Sequence, residues 1–190
     1  MTTDTIDKRV QEYTDTLVDL LKPGVGYKLV KPEVDRARKK FLETYTVKPT
    51  KGAELESEYN KIATAYLVAL RGVGVDSPHL AGNEMKLWLQ RLGNDALPKV
   101  KAAIEIGDQT QILSLFEQAY QASADKVETK MAELREQPDN VRLGVYGKIG
   151  GYLGDVNGYK GSAISVSENP AAALQALGQR LGTAKTFSKN

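Results

Sequence analysis

The chain contains no cysteine and a single histidine, His79. Disulfides, thiolate metal sites and thiol nucleophiles are therefore excluded, and one histidine excludes the paired Glu-x-x-His motifs of di-iron helical bundles. Asp76 and Ser77 precede His79 closely, but a Ser/His/Asp hydrolytic site brings together residues from separate elements. We interpret this segment as a polar turn, and we expect no catalytic residue, no metal site and no cofactor.

Long apolar runs are also lacking. The longest uncharged, largely apolar run is Ile62–Leu70, which is about half the length of a membrane span. The first residues, Met1–Thr5, do not place a basic region before an apolar stretch. We therefore expect neither a transmembrane helix nor a secretory signal here.

Aromatic residues make up only 7% of the chain, and nine of them are tyrosine, a side chain suited to half-exposed contact surfaces. The net charge of +2 conceals an asymmetry, because residues 1–139 carry a net charge of −2 and residues 140–190 a net charge of +4. A mildly basic C-terminal part favours acidic partners in general.

Most of the chain shows helical periodicity, with apolar residues recurring at spacings of three and four. We predict Asp95 and Asp108 as N-caps. The predicted helices cover residues 5–22, 32–46, 53–71, 82–106 (interrupted at Gly93–Asp95), 109–136 and 169–181. The predicted fold is all-α, an antiparallel four- to five-helix up-and-down bundle with short connections, an extended C-terminal arm rich in glycine and tyrosine, and a short terminal helix.

Seven glycines between Arg142 and Gly161 mark the predicted arm. Each glycine disfavours a helix or strand by about 0.5–1 kcal/mol relative to alanine. We therefore divide the chain into a helical bundle, 1–139, and a second part, 140–190, that holds the arm and the helix 169–181. A flexible tail is the alternative, but disordered tails are normally poor in aromatic residues. The candidate partner-binding residues of the arm are Tyr146, Tyr152, Tyr159, Lys148 and Lys160.

Two charged clusters lie in the predicted bundle. Glu54, Glu56 and Glu58 could hold a cation, but residues two apart point to different sides of a helix, so solvated first-turn charges are the favoured interpretation. The second cluster is basic. It could be a patch for nucleic acid or an acidic protein, but the acidic residues interspersed with it favour a solvated helix face. Its members are Arg36, Arg38, Lys39 and Lys40.

Four segments in this order resemble a known family. They are Tyr13–Val18, Glu33–Tyr45, Tyr59–Gly72 and Leu97–Lys101. Taken together, residues 8–106 resemble the small four-helix lumenal proteins that bind photosystem II during assembly or as extrinsic subunits. The resemblance implies a non-enzymatic protein that docks on the lumenal face of the photosystem II core, near the inner antenna, and hence a location in the thylakoid lumen.

The leading functional hypothesis is a non-enzymatic binding or structural subunit that docks on a larger assembly, with photosystem II as the named candidate partner. The alternative is a self-assembling, coat-like or filament protein. In that case the C-terminal arm reaches a neighbouring subunit, and the basic cluster at 36–40 faces nucleic acid.

Overall fold

The all-α prediction is confirmed. A computed structural model describes residues 3–21, 28–75 and 81–157, which form seven α-helices and one short 3-10 turn at Gly52–Glu54. The helices are α1 (Thr3–Leu21), α2 (Lys31–Thr44), α3 (Leu55–Arg71), α4 (Ala81–Leu92), α5 (Ala96–Ile106), α6 (Gln109–Arg135) and α7 (Asp139–Asn157). None of these helices is both long and apolar enough to cross a lipid bilayer. The predicted helix at 169–181 lies outside the described residues.

The chain divides into two compact units. One unit comprises residues 1–22 and 126–190, and the other comprises residues 23–125. The boundary falls within α6, whereas the sequence-based boundary falls between residues 139 and 140. We describe each unit by itself.

In the second unit, α3 is the helix on which the others pack, since α2, α4 and α5 all contact it. Aromatic rings fill the space around α3 and meet edge to face. Tyr66 lies 5.5 Å from Phe116, centroid to centroid, and Trp88 lies 5.2 Å from Tyr120. All four rings are buried. The expectation that the tyrosines mainly serve half-exposed surfaces is therefore wrong for this unit.

Side-chain amides of α6 fix the loops of this unit. The amide of Gln121 bonds both backbone groups of Leu29, accepting from its N–H at 2.9 Å and donating to its carbonyl at 2.8 Å. Gln109 accepts from the backbone N–H of Val47. These bonds satisfy backbone groups that the helices leave unpaired, so the segments flanking α2 are attached to α6 at both ends.

The two predicted N-caps behave differently. The Asp108 carboxylate accepts from the backbone N–H of Gln111 at 3.1 Å, so the cap of α6 is confirmed. Asp95 holds the cap position of α5 but makes no capping hydrogen bond. Its carboxylate pairs with Lys99 at 2.9 Å instead.

In the first unit, α7 packs on α1. The prediction of an extended arm is wrong for residues 139–157, which are helical. Val141, Val145 and Ile149 recur every four residues and are fully buried. Burying these three side chains is worth about 1.5–3 kcal/mol each. The total, about 4.5–9 kcal/mol, exceeds the cost of the five glycines in the helix, which is about 2.5–5 kcal/mol.

One of those glycines lies where α7 packs closely on α1. A Cβ atom at Gly144 would lie 3.0 Å from a methyl carbon of Val10, which is buried on α1. Glycine therefore lets the two helix backbones approach closely. The feature that argued against a helix in the sequence is part of what allows this helix to pack.

The turn between α5 and α6 supplies a stability test. Gly107 ends α5 with a φ of 71°, and a Cβ atom there would lie 2.8 Å from the Pro49 ring. Gly52 has a φ of 72° with nothing within 4 Å of that position. Gly52→Ala should cost about 1 kcal/mol from backbone strain alone. Gly107→Ala should cost about 1–3 kcal/mol more, because the new methyl group also overlaps Pro49. Urea unfolding of the two variants measures the difference, and equal destabilisation would contradict the contact with Pro49.

The buried tyrosines predict a loss of stability at alkaline pH. Burial raises the pKa of Tyr59, Tyr66 and Tyr45, and for Tyr45 the hydrogen bond to Glu58 adds to the effect. Above about pH 10 the unfolded chain releases these protons while the folded chain keeps them. The stabilisation is therefore complete below about pH 10 and is lost as the pH rises through the folded pKa values.

Tyr59 and Tyr66 should each lower the free energy of unfolding by about 1.4 kcal/mol per pH unit in that range, and the more exposed Tyr45 should contribute less. Urea titrations at a series of alkaline pH values measure the slope. Tyr66→Phe should reduce this slope by one tyrosine's share, and an unchanged slope in that variant would contradict the assignment.

Candidate docking groove

A groove of about 440 Å³ lies between α2 and the C-terminal end of α3, within the second unit. Four residues of α2 line one wall. They are Arg36, Lys39, Lys40 and Glu43. Their spacing of three, four and seven residues puts them on one face of the helix. The sequence therefore folds three of its predicted cationic residues along a single wall.

The three cations of this wall are exposed and unpaired. The charged groups of Arg36, Lys39 and Lys40 form no hydrogen bond or ion pair with any other residue that the structure describes. Glu43 is the acidic residue of the lining, so the groove carries a net charge of +2. Because these cations have no partner within the protein to give up, they are available to bind a carboxylate or a phosphate.

The opposite wall is apolar and comes from the end of α3. Ala69, Gly72 and Val73 line it. Val68 lies one helical turn before Gly72 and is 46% exposed. The helix ends here because backbone N–H groups of Val73 and Gly74 turn back to Leu70 and Arg71. The groove thus combines a basic wall with an apolar one.

Arg38 belongs to a different environment from its neighbours. Its guanidinium donates two hydrogen bonds to the Glu117 carboxylate of α6, at 2.9 and 2.8 Å. The hydrogen bond to Glu117 raises the pKa of Arg38. Successive residues are about 100° apart around a helix, so Arg38 points away from the wall that holds Arg36. Of the four cations predicted as one patch, the structure brings three together and uses the fourth to hold α2 on α6.

The residues predicted on the C-terminal arm are distributed differently. Tyr146 is only 4% exposed on α7, so it is an interior residue and not an exposed anchor. Lys148 is exposed and donates to the side-chain carbonyl of Gln11 on α1 at 2.7 Å. The side chain of Tyr152 and all of Tyr159 and Lys160 lie outside the described residues, as does His79.

Of the three glutamates Glu54, Glu56 and Glu58, the last two make structural contacts, whereas Glu54 is exposed. The Glu56 carboxylate forms ion pairs with the ammonium groups of Lys86 of α4, at 2.5 Å, and of Lys101 of α5, at 3.5 Å. The hydrogen bond from Lys86 lowers the pKa of Glu56. The prediction of a solvated charge is wrong for Glu58. It is buried and accepts from the Tyr45 hydroxyl and the Lys48 backbone N–H. Within the described part of the chain no cluster of acidic and histidine side chains could hold a metal ion.

A second cleft, of about 550 Å³, lies in the first unit between α1 and the end of α6. Its cations are already engaged. Lys130 pairs with Glu133 at 2.9 Å and lies 4.9 Å from the centre of the Tyr13 ring, and Arg9 donates to Gln137. The groove between α2 and α3 is therefore the better candidate for binding a charged partner.

Sequence reasoning found the basic wall but missed the apolar one. Ala69, Gly72 and Val73 carry no chemistry that a motif would identify, and a glycine after a helix is a common stop signal. Only the packing of α2 on α3 shows that this helix end borders the cations.

The two arginines of α2 give a matched test of this division of roles. Arg38→Gln should destabilise the fold by about 1–2 kcal/mol, because it leaves the carboxylate of Glu117, only 15% exposed, without its partner. The half-exposed position of Arg38 keeps the expected loss at this modest size. Arg36→Gln should change stability by less than about 0.5 kcal/mol. Urea unfolding measures both, and a larger loss for Arg36→Gln than for Arg38→Gln would reverse the assignment.

Comparison with known proteins identifies no relative, since no family model, curated protein or solved structure matches this chain.

Proposed function

We propose that this protein is a non-enzymatic binding subunit that docks on an acidic surface of a larger assembly through the groove between α2 and α3. The observation that carries the proposal is the wall of three unpaired cations, Arg36, Lys39 and Lys40, facing an apolar wall. Docking sites on proteins commonly combine an apolar centre with a charged border that sets orientation and partner choice.

The composition of the groove favours a protein partner over nucleic acid. A polyanion is held mainly by many phosphate contacts, and here three cations share the groove with the carboxylate of Glu43. The apolar wall has no counterpart on a phosphate backbone. It would contact aliphatic side chains of a protein and contribute about 25 cal/mol for each Å² of apolar surface removed from water.

Photosystem II is the proposed assembly. The resemblance of residues 8–106 to its small four-helix lumenal subunits supports this identification, and a location in the thylakoid lumen is part of the same proposal. Arg36, Lys39 and Lys40 fall within the resembling part of the chain, so the groove is the surface we assign to docking on the photosystem II core.

The test is binding of the purified full-length protein to photosystem II core particles, measured by co-sedimentation. Reversing the basic wall with Arg36→Glu/Lys39→Glu/Lys40→Glu should weaken binding at least about tenfold, since each exposed charge pair lost is worth a fraction of a kcal/mol and the new carboxylates repel an acidic partner. Circular dichroism of the variant checks that the helices are retained.

The matched control changes the same net charge elsewhere. Lys51, Lys61 and Lys126 are exposed and form no ion pair with a described residue, and Lys51→Glu/Lys61→Glu/Lys126→Glu should bind like the wild type. Equal weakening by both triple variants would show a non-specific charge effect and reject the groove. Absence of wild-type binding to the particles would reject photosystem II as the partner.

A further inference from the structure

The outward face of α1 is acidic. At about 100° per residue, five carboxylates fall within about 140° of one another around the helix, on the side away from the buried Val10 and Leu17. They belong to Asp4, Asp7, Glu12, Asp15 and Asp19, and all are exposed. Lys8 is the one cation within this arc among the described residues of α1, and Lys148 of α7 bonds to Gln11 on the same face, so with both cations counted the acidic face of α1 carries a net charge of −3.

Nearby hydrogen bonds leave most of this charge available. Gln11 donates to the Asp15 carboxylate at 2.6 Å and accepts from Lys148 of α7 at 2.7 Å. Asp4, Asp7 and Glu12 form no ion pair with a described residue. The amide of Gln11 links Lys148 to Asp15, so this ammonium group offsets one of the negative charges of the acidic face.

We propose that the acidic face of α1 from a second copy of this chain occupies the basic groove between α2 and α3. The inference rests on the groove being a docking site, and it adds that the protein itself supplies an occupant. Three net negative charges on one helix face meet two net positive charges in the groove, and Arg36, Lys39 and Lys40 are the groups that bind the carboxylates.

The geometry of such a contact is head to tail, because the groove and the acidic face are different surfaces of the chain. An open assembly keeps one free groove at one end and one free acidic face at the other unless it closes on itself. The contact is made of exposed charges, so it is weak and sensitive to salt. A groove that holds α1 of another copy is closed to the docking partner, and self-association therefore competes with docking.

Complementary variants test the contact with the full-length protein. The groove variant is Arg36→Glu/Lys39→Glu/Lys40→Glu, and the α1 variant is Glu12→Lys/Asp15→Lys. Sedimentation equilibrium of the wild type should show association at an ionic strength of about 0.01 M and monomer at about 1 M, where the screening length falls from about 30 Å to about 3 Å. Each variant alone should associate at least about tenfold more weakly than the wild type.

Mixing the two variants should restore one contact. The α1 variant retains an intact groove and the groove variant retains an intact α1, so the mixture should form a heterodimer and stop there. The matched control Glu54→Lys/Glu136→Lys makes the same charge change at exposed positions outside both surfaces and should associate like the wild type.

A monomeric wild type at low ionic strength, or a mixture that stays monomeric, would overturn the self-association and leave docking on photosystem II untouched. If the wild-type protein self-associates but does not bind photosystem II particles, the proposed function is rejected instead. The two failures are thus distinguishable.

Discussion

The burial of one face of α3 is the constraint on which the second unit depends. Tyr59, Ile62, Tyr66 and Leu70 lie on that face with almost no exposure, and α2, α4 and α5 all pack against the helix. Edge-to-face ring contacts, such as that of Tyr66 with Phe116, add directional preference to the burial. The position of α3 therefore determines where its C-terminal end lies, and that end is the apolar wall of the groove.

The position of α2 depends on a second, more polar set of contacts. Arg38 donates two charge-assisted hydrogen bonds to Glu117, and Phe41 is buried beside Tyr66. These contacts fix the rotation of α2 about its own axis. Once that rotation is fixed, the 3.6-residue repeat places Arg36, Lys39 and Lys40 over the end of α3. The cations that we propose bind a partner are thus oriented by residues that stabilise the fold.

Charge is arranged differently on the two units. The second unit presents a basic groove, and the first presents an acidic helix face on α1. The net charge of the whole chain, only +2, hides both. In the arrangement that we propose, an acidic partner and α1 of another copy compete for the groove, and salt weakens both contacts.

The sequence by itself determined the helical class and most helix boundaries, because periodicity, proline and glycine stops and the Asp108 cap act within a few residues. It also identified the basic stretch of α2. Only the tertiary structure decided that residues 139–157 are helical, since the burial of Val141, Val145 and Ile149 against α1 outweighs a local glycine penalty. The same is true of Arg36 and Arg38. They are two positions apart and look alike in sequence, but opposite sides of one helix meet different neighbours, so one faces the groove and the other holds the fold.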